Sequence, residues 1–263
     1  GPDGPPNAVG VPGIRQGRRL AAALAELTDA QWASQSRCSE WTARDVIAHL
    51  EPTNSFWSFS ISAGVRGTPS TFLTTFDPVA SPAQMVAGGA DRSAAEVFDG
   101  FLATNDAFIS TIESLDEAGW SALAEAPPGH ISVSALVHHA LWDCWIHERD
   151  VLVPLGIEPA LEADEIDACL RYVAALAPSF ALTRGEARTG SLAVVATDPD
   201  VSFALRVGTS VSVTPVDGSE DVRLTGDAVE LLEALSFRAP FAPDVPVEHR
   251  WLLDGLAATF DQA

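Results

Sequence analysis

Three residues in one stretch of the chain can do chemistry together. Between Ala135 and Asp150, His139, Asp143 and His147 recur at every fourth position. On a helix that spacing draws a single polar line, and Leu136, Val137, Ala140, Leu141, Cys144 and Trp145 surround it with apolar surface. Buried acids and imidazoles need partners, and a metal ion is one of the few that satisfies several at once. A carboxylate four residues before a histidine can bring both donors to one cation. His49, on another segment, can add a third ligand, and three protein ligands leave the open position that catalytic sites keep. Asp150, three residues beyond His147, can orient an imidazole from behind; its plainer role is a salt bridge to Arg149 or Arg184.

The other candidates have bland readings too. A single histidine on an apolar helix is more often a hydrogen-bonded core group than a ligand. His138 is expected at the rim, His130 in solvent after the Pro127-Pro128-Gly129 break, and His249 without an obvious partner. Trp41, Trp57, Trp142 and Trp145 read first as core.

Helices must position these groups. Thr42 can cap a helix that carries His49, with Asp45 reaching back as the capping-box acid and Val46, Ile47 and Leu50 as the apolar stripe. Pro52 is expected to bend or end that helix soon after His49. A helix over about Val11–Leu27 precedes it, and others are expected near Ala94–Leu115, Val133–Val153 and Asp164–Leu176. Residues 64–82, with Arg66, show no clear period and read as a long binding loop or lid. Four or five helices with these connections suggest an up-and-down bundle with a long crossover.

After Arg184 the pattern changes to strands, over Ser191–Thr197, Val201–Val207 and from Val211, followed by short helices near Asp227–Phe237 and Trp251–Phe260. The expected class is therefore mainly α with a C-terminal α+β domain. Its divisions are a disordered arm or tag remnant over 1–10, a helical domain over 11–182, and a small α+β domain over 183–263.

Composition narrows the partners. The chain has 263 residues, 47% of them hydrophobic, enough for a sizeable core. Its net charge of -21 repels phosphate backbones and anionic lipid, which argues against nucleic acid. No apolar run reads as long enough to span a bilayer, so no membrane partner is expected, and residues 1–12 lack the basic and apolar regions of a signal peptide. Cys38, Cys144 and Cys169 form no disulfide framework and read as buried small hydrophobes in a reducing cytoplasm. All 15 basic residues are arginine, a mark of GC-rich coding and a high-GC bacterial source.

The run Cys38-Ser39-Glu40-Trp41-Thr42-Ala43-Arg44-Asp45, continuing to His49-Leu50, resembles the N-terminal signature of the mycothiol-dependent maleylpyruvate isomerase family, within the DinB-like superfamily. Asp143, His147 and Asp150 are similar to the family's acid-x-x-x-His-x-x-Asp element. Gly226-Asp227-Ala228, Leu231-Leu232, Leu235 and Arg238 more weakly resemble its C-terminal domain, which is sterol-carrier-protein-like. The resemblance implies a DinB-like four-helix bundle followed by a small sterol-carrier-protein-like domain. It implies a divalent metal, zinc first, on His49, Asp143 and His147, and mycothiol as a thiol cofactor whose sulfur meets the metal and ionises. Asp143 stands where the family commonly has Glu; being one methylene shorter, it can bring the ion closer to the helix or draw in His139. Arg238 can grip a substrate carboxylate bidentately, with Asp150 beside the chemistry, while Arg66, Trp57 and His139 are the candidates for thiol contacts. A small-molecule substrate and a monomer are expected.

On this reading the thiolate adds to a small electrophile, either to stay, as in an S-transferase, or to leave again after a double bond has become rotatable, as in a cis-trans isomerase. The alternatives are a thiol-independent metalloenzyme, a lyase, cyclase or hydrolase using metal-bound water, and a non-catalytic small-molecule binding protein whose polar line is structural.

Overall fold

The computed structural model describes residues 7–75, 84, 86–185, 188–240 and 244–254. The chain divides into two compact units, Asn7–Ala160 and Leu161–Gln262. It is mainly helical, with a mixed sheet in the C-terminal unit. Residues 1–6 of the expected arm lie outside the described residues.

The N-terminal unit is built on α1 (Gly10–Ala25), α3 (Ala43–Val65), α4 (Ala94–Glu113) and α6 (Val133–Leu152). The short helices α2 (Asp29–Trp32) and α5 (Glu117–Ser121) fill the connections. The long helices pack in a closed ring, with α1 and α3 each touching both α4 and α6. Leu20, Leu24, Val46, Ile47, Leu50, Phe101 and Leu152 meet inside it. Burying each such side chain contributes about 1.5–3 kcal/mol, so the ring is held by its shared core rather than by helix propensity.

The helix starts follow from their caps. Thr42 Oγ1 accepts from Asp45 N–H at 3.3 Å and Asp45 Oδ2 accepts from Thr42 N–H at 3.0 Å, so the capping box foreseen for the His49 helix forms. Ser93 and Glu96 do the same for α4, and Ser132 Oγ accepts from Ala135 N–H to start α6.

Pro52 does not end α3, which continues to Val65. The missing N–H forfeits the bond to the Ala48 carbonyl, but Thr53 Oγ1 donates to the His49 carbonyl at 2.8 Å. The second half of the helix also buries Trp57 and Ile61. That half lies against a hairpin that periodicity missed, β1 (Leu123–Ala126) paired antiparallel with β2 (Gly129–Ser132). Contact there is backbone-close: a Cβ on Gly64 would collide with the Leu123 carbonyl oxygen. The two prolines sit at the hairpin's turn, and Gly129 takes φ +110, a value few side chains tolerate.

In the C-terminal unit, α7 (Ala163–Thr183) precedes β3 (Gly190–Thr197), β4 (Val201–Val207), β5 (Val211–Thr214) and β6 (Val222–Asp227). The strand order is β5-β4-β3-β6, antiparallel except where β3 meets β6. Helices α8 (Ala228–Leu235) and α9 (Trp251–Asp254) complete the unit, and α7 packs on β4, β5, α8 and α9. The helix expected to close the bundle, with a boundary at 182/183, thus lies in the same compact unit as the sheet: Ile166, Leu170 and Val173 bury an apolar face there. Strand β6 escaped the pattern because only Val222 and Leu224 alternate inward. The expected extension of the last helix, from 255 to 260, lies outside the described residues. Among the described helices α7 is long and apolar enough to cross a membrane, though 61% of that window is buried, and Glu165 earlier in the same helix is fully buried.

Candidate metal centre

Helices α3 and α6 pack antiparallel. His49 meets Asp143 and His147, while Trp57, two turns further along α3, meets His139, one turn earlier on α6. His49, Asp143 and His147 each offer a ligand atom, and these lie within 4.8 Å of one another. The two imidazoles stand edge to face at 5.2 Å, and His147 Nε2 is 3.6 Å from Asp143 Oδ1.

Behind His147 stands Asp150, with no exposed surface. Its Oδ2 is 3.0 Å from His147 Nδ1. A carboxylate only accepts, so Nδ1 carries the proton and Nε2 faces the other donors. Asp150 is paired with Arg37, a residue the sequence did not suggest, whose Nε donates to Oδ1 at 3.1 Å. Cys38 Sγ donates to Oδ2 at 3.3 Å.

Electrostatics separate the histidines. Burial, then the neighbouring His147, pushes His49 down to about 3, so it stays neutral with a lone pair to give. Burial also lowers His139 to about 4, against the pull of Asp143. At His147 burial acts downward as well, but hydrogen bonds with Asp150 and Cys38 and the charges of Asp143 and Asp150 raise it to about 10. One imidazole is therefore neutral and the other is tied to two carboxylates.

The remaining candidates divide. His139 is buried between Trp57 and Trp142, with ring centroids at 5.0 and 5.5 Å. It lines the wall one turn from Asp143 and is not among the three clustered donors. Arg66 is exposed at the C-cap of α3, about 25 Å along the axis from His49 at 1.5 Å per residue. Arg238 belongs to the C-terminal unit, where its Nη1 donates to the Ser236 carbonyl at 3.2 Å. His138, expected at the rim, is buried, and its Nδ1 is 2.8 Å from the Ser134 carbonyl. Cys38, expected as a buried hydrophobe, is half-buried and polar in its contacts. Sequence reasoning missed Arg37 altogether, since nothing in local spacing links residue 37 to residue 150. Trp41, read as core, does pack against the core cluster, and its ring also lies 5.3 Å from that of His49; its place eight residues before His49, just ahead of the same helix, was the available signal.

Two imidazoles and a carboxylate suit zinc or a similar divalent ion. His49 Nδ1 is buried with no hydrogen-bond partner, which costs about 1–3 kcal/mol unless something binds the ring. The donor set and this orphaned nitrogen fit a metal.

A family model described as the mycothiol maleylpyruvate isomerase N-terminal domain matches residues 15–152, which is 138 of the 263 residues. No curated protein matches. Among solved structures, the crystal structure of the mycothiol-dependent maleylpyruvate isomerase superposes with a TM-score of 0.65, at 16% identity, over 93% of this chain and 97% of that one. A histidine-to-alanine mutant of that enzyme gives 0.64 with the same identity and coverage.

Proposed function

The chain belongs to the mycothiol maleylpyruvate isomerase N-terminal domain family, and from that premise we propose that it is a mycothiol-dependent metalloenzyme acting on a small electrophilic metabolite. The observation that carries the proposal is the convergence of His49, Asp143 and His147 within 4.8 Å, from two helices whose sequence separation is nearly a hundred residues. Zinc is the first choice of ion. The ring of four long helices corresponds to a DinB-like bundle, and the C-terminal unit to a sterol-carrier-like domain.

Neutral His49, Asp143 and the Nε2 of His147 hold the ion in this reading, with Asp150 keeping the His147 ring turned. A bound divalent ion would lower the pKa of a coordinated thiol to near neutrality and so supply a nucleophile. Trp57, His139 and Trp142 form an aromatic wall beside Asp143 that excludes water and offers faces to an unsaturated substrate. Arg238 is assigned to a substrate carboxylate on the family resemblance, whereas Arg66, about 25 Å along α3 from His49, stands too far from the cluster to meet the metal end of the thiol. The outcome of thiol addition, isomerisation or S-transfer, is set by the substrate and not by the fold. The enzyme is read as a monomer in a reducing cytoplasm, where buried cysteines such as Cys144 and Cys169 stay out of disulfides.

The test is metal analysis of the untagged full chain by mass spectrometry, beside an Asp143→Ala, His147→Ala double variant. Near-stoichiometric zinc in the parent and background in the variant is expected, followed by turnover of maleylpyruvate-type double bonds only with mycothiol present. A parent that holds no ion and takes up none would overturn the metal; zinc without any response to mycothiol would leave a thiol-independent metalloenzyme.

A further inference from the structure

The connection between α2 and α3 is short, yet it is tied down throughout. Ser36 Oγ donates to the Trp41 carbonyl at 2.6 Å and accepts from Cys38 N–H at 3.1 Å. Gln35 Nε2 donates to the carbonyls of Cys38 and Trp41, each at 2.8 Å. Backbone bonds from Ser36 to Trp41 and from Ala43 to Ser34, at 3.1 and 2.9 Å, close the loop on itself. Such a loop has little freedom, and whatever it presents is presented rigidly.

What it presents is a grip on Asp150. Arg37 N–H donates to the Asp150 carbonyl at 3.0 Å, and Arg37 Nε to Oδ1 at 3.1 Å. Cys38 Sγ donates to Oδ2 at 3.3 Å, the oxygen that also receives His147 Nδ1 at 3.0 Å. Asp150 is thus held through its main chain and through both carboxylate oxygens. Rotating the carboxylate would break the Arg37, Cys38 and His147 contacts together. Further along the same loop, Trp41 lies against His49. One segment of about ten residues therefore stands behind both histidines of the cluster, although they come from different helices.

We infer that Arg37 and Cys38 are positioning residues: they fix the Asp150 carboxylate so that His147 keeps its Nδ1 occupied and its Nε2 aimed at His49 and Asp143. Their bearing on zinc rests on the metal reading above; their hold on His147 does not. Neither residue belongs to the His49, Asp143 and His147 cluster. Arg37 acts by charge and by a directed N–H. Cys38 acts as a hydrogen-bond donor, so serine in its place keeps the function and alanine removes it. Arg37 is mostly sheltered, with 19% of its side chain exposed, so its pairing with fully buried Asp150 is little screened by water.

The experiment compares the full chain with Arg37→Met, Arg37→Lys, Cys38→Ala and Cys38→Ser. Zinc affinity is measured by competition with a chromophoric chelator. The Nδ1 proton resonance of His147 is followed by nitrogen-edited NMR of the metal-free protein, and far-ultraviolet circular dichroism reports folding. Arg37→Met and Cys38→Ala are expected to weaken zinc about ten-fold, the low end for residues behind a ligand, and to shift or broaden the His147 proton. Cys38→Ser is expected to restore both readouts. Folded Arg37→Met and Cys38→Ala proteins with unchanged zinc affinity and an unmoved resonance would overturn the inference. Cys38→Ala changes a single heavy atom and keeps the test open if Arg37→Met fails to fold. A parent that takes up no zinc overturns the metal reading, and the proton resonance then decides the positioning role alone.

Discussion

Two buried carboxylates stand two residues apart on α6, and each takes an arginine from a distant part of the chain. Glu148 accepts from Arg19 on α1 through both oxygens, at 3.0 and 2.7 Å, and from Gln16 at 3.4 Å. Asp150 accepts from Arg37 and Cys38 in the loop before α3, and from His147. Both are almost without exposed surface. Successive even positions on a helix point about 200° apart, so the two pairs work on opposite sides of α6. Glu148 locks α1 to α6. Asp150 turns a histidine. The same ion-pair chemistry is structural on one face and serves the candidate site on the other, and only the neighbours of each carboxylate say which.

Substitutions can break or sharpen this contrast. Glu148→Ala should have the largest effect on folding, a loss of about 3 kcal/mol, because it strands a sheltered arginine. Chemical denaturation of the metal-free chain measures that loss, and zinc stoichiometry of the remaining folded protein should be unaltered. A folded Glu148→Ala protein that no longer binds zinc would erase the distinction between the two faces. Asp150→Asn should act the other way round. Zinc binding is expected to weaken 10- to 100-fold, or about 1.4–2.7 kcal/mol, as for other groups behind a ligating histidine. Chelator competition reads this, and an unchanged affinity would reduce Asp150 to a second structural pair.

Smaller changes test whether the helix as a whole, rather than either carboxylate, governs the site. Ser132→Ala removes the cap of α6 and should cost about 1 kcal/mol in thermal or denaturant unfolding, with zinc affinity of the folded protein unaffected. Arg149 lies between the two carboxylates in sequence but stacks over the Trp145 ring at 5.1 Å. Arg149→Ala should cost about 0.5–1 kcal/mol by the same unfolding measurement. A loss of zinc in either variant would mean that fraying of α6, and not the Asp150 contact, controls the donors.

Much of the centre could be read from spacing. His139, Asp143 and His147 fall on one face of a helix by arithmetic alone, and the capping box at Thr42 and Asp45 located the start of the helix bearing His49. Other features were invisible for definite reasons. Pro52 looked like a helix end because its local cost is real, but the packing of Trp57 and Ile61 outweighs it. The β1–β2 hairpin is too short to show alternation, and Leu123–Ala126 is strand chiefly because α3 lies against it. The Ala163–Thr183 helix is amphipathic in any setting, and its sequence does not say which unit buries its apolar face.

By itself the sequence determined the mainly helical class, the strand-bearing C-terminal region, the polar line on α6 and the resemblance that linked His49 to it. These are properties of period, cap and local motif, which act within a few residues and need no knowledge of the rest of the chain. Tertiary structure alone decided that His139 stays in the wall while Asp143 and His147 meet His49, and that Asp150 answers to Arg37 and Cys38. Those outcomes depend on which faces of α3 and α6 come together and on where one short loop is tied. Distances of a few ångströms between residues a hundred positions apart are set by packing, and packing sums contacts over the whole unit.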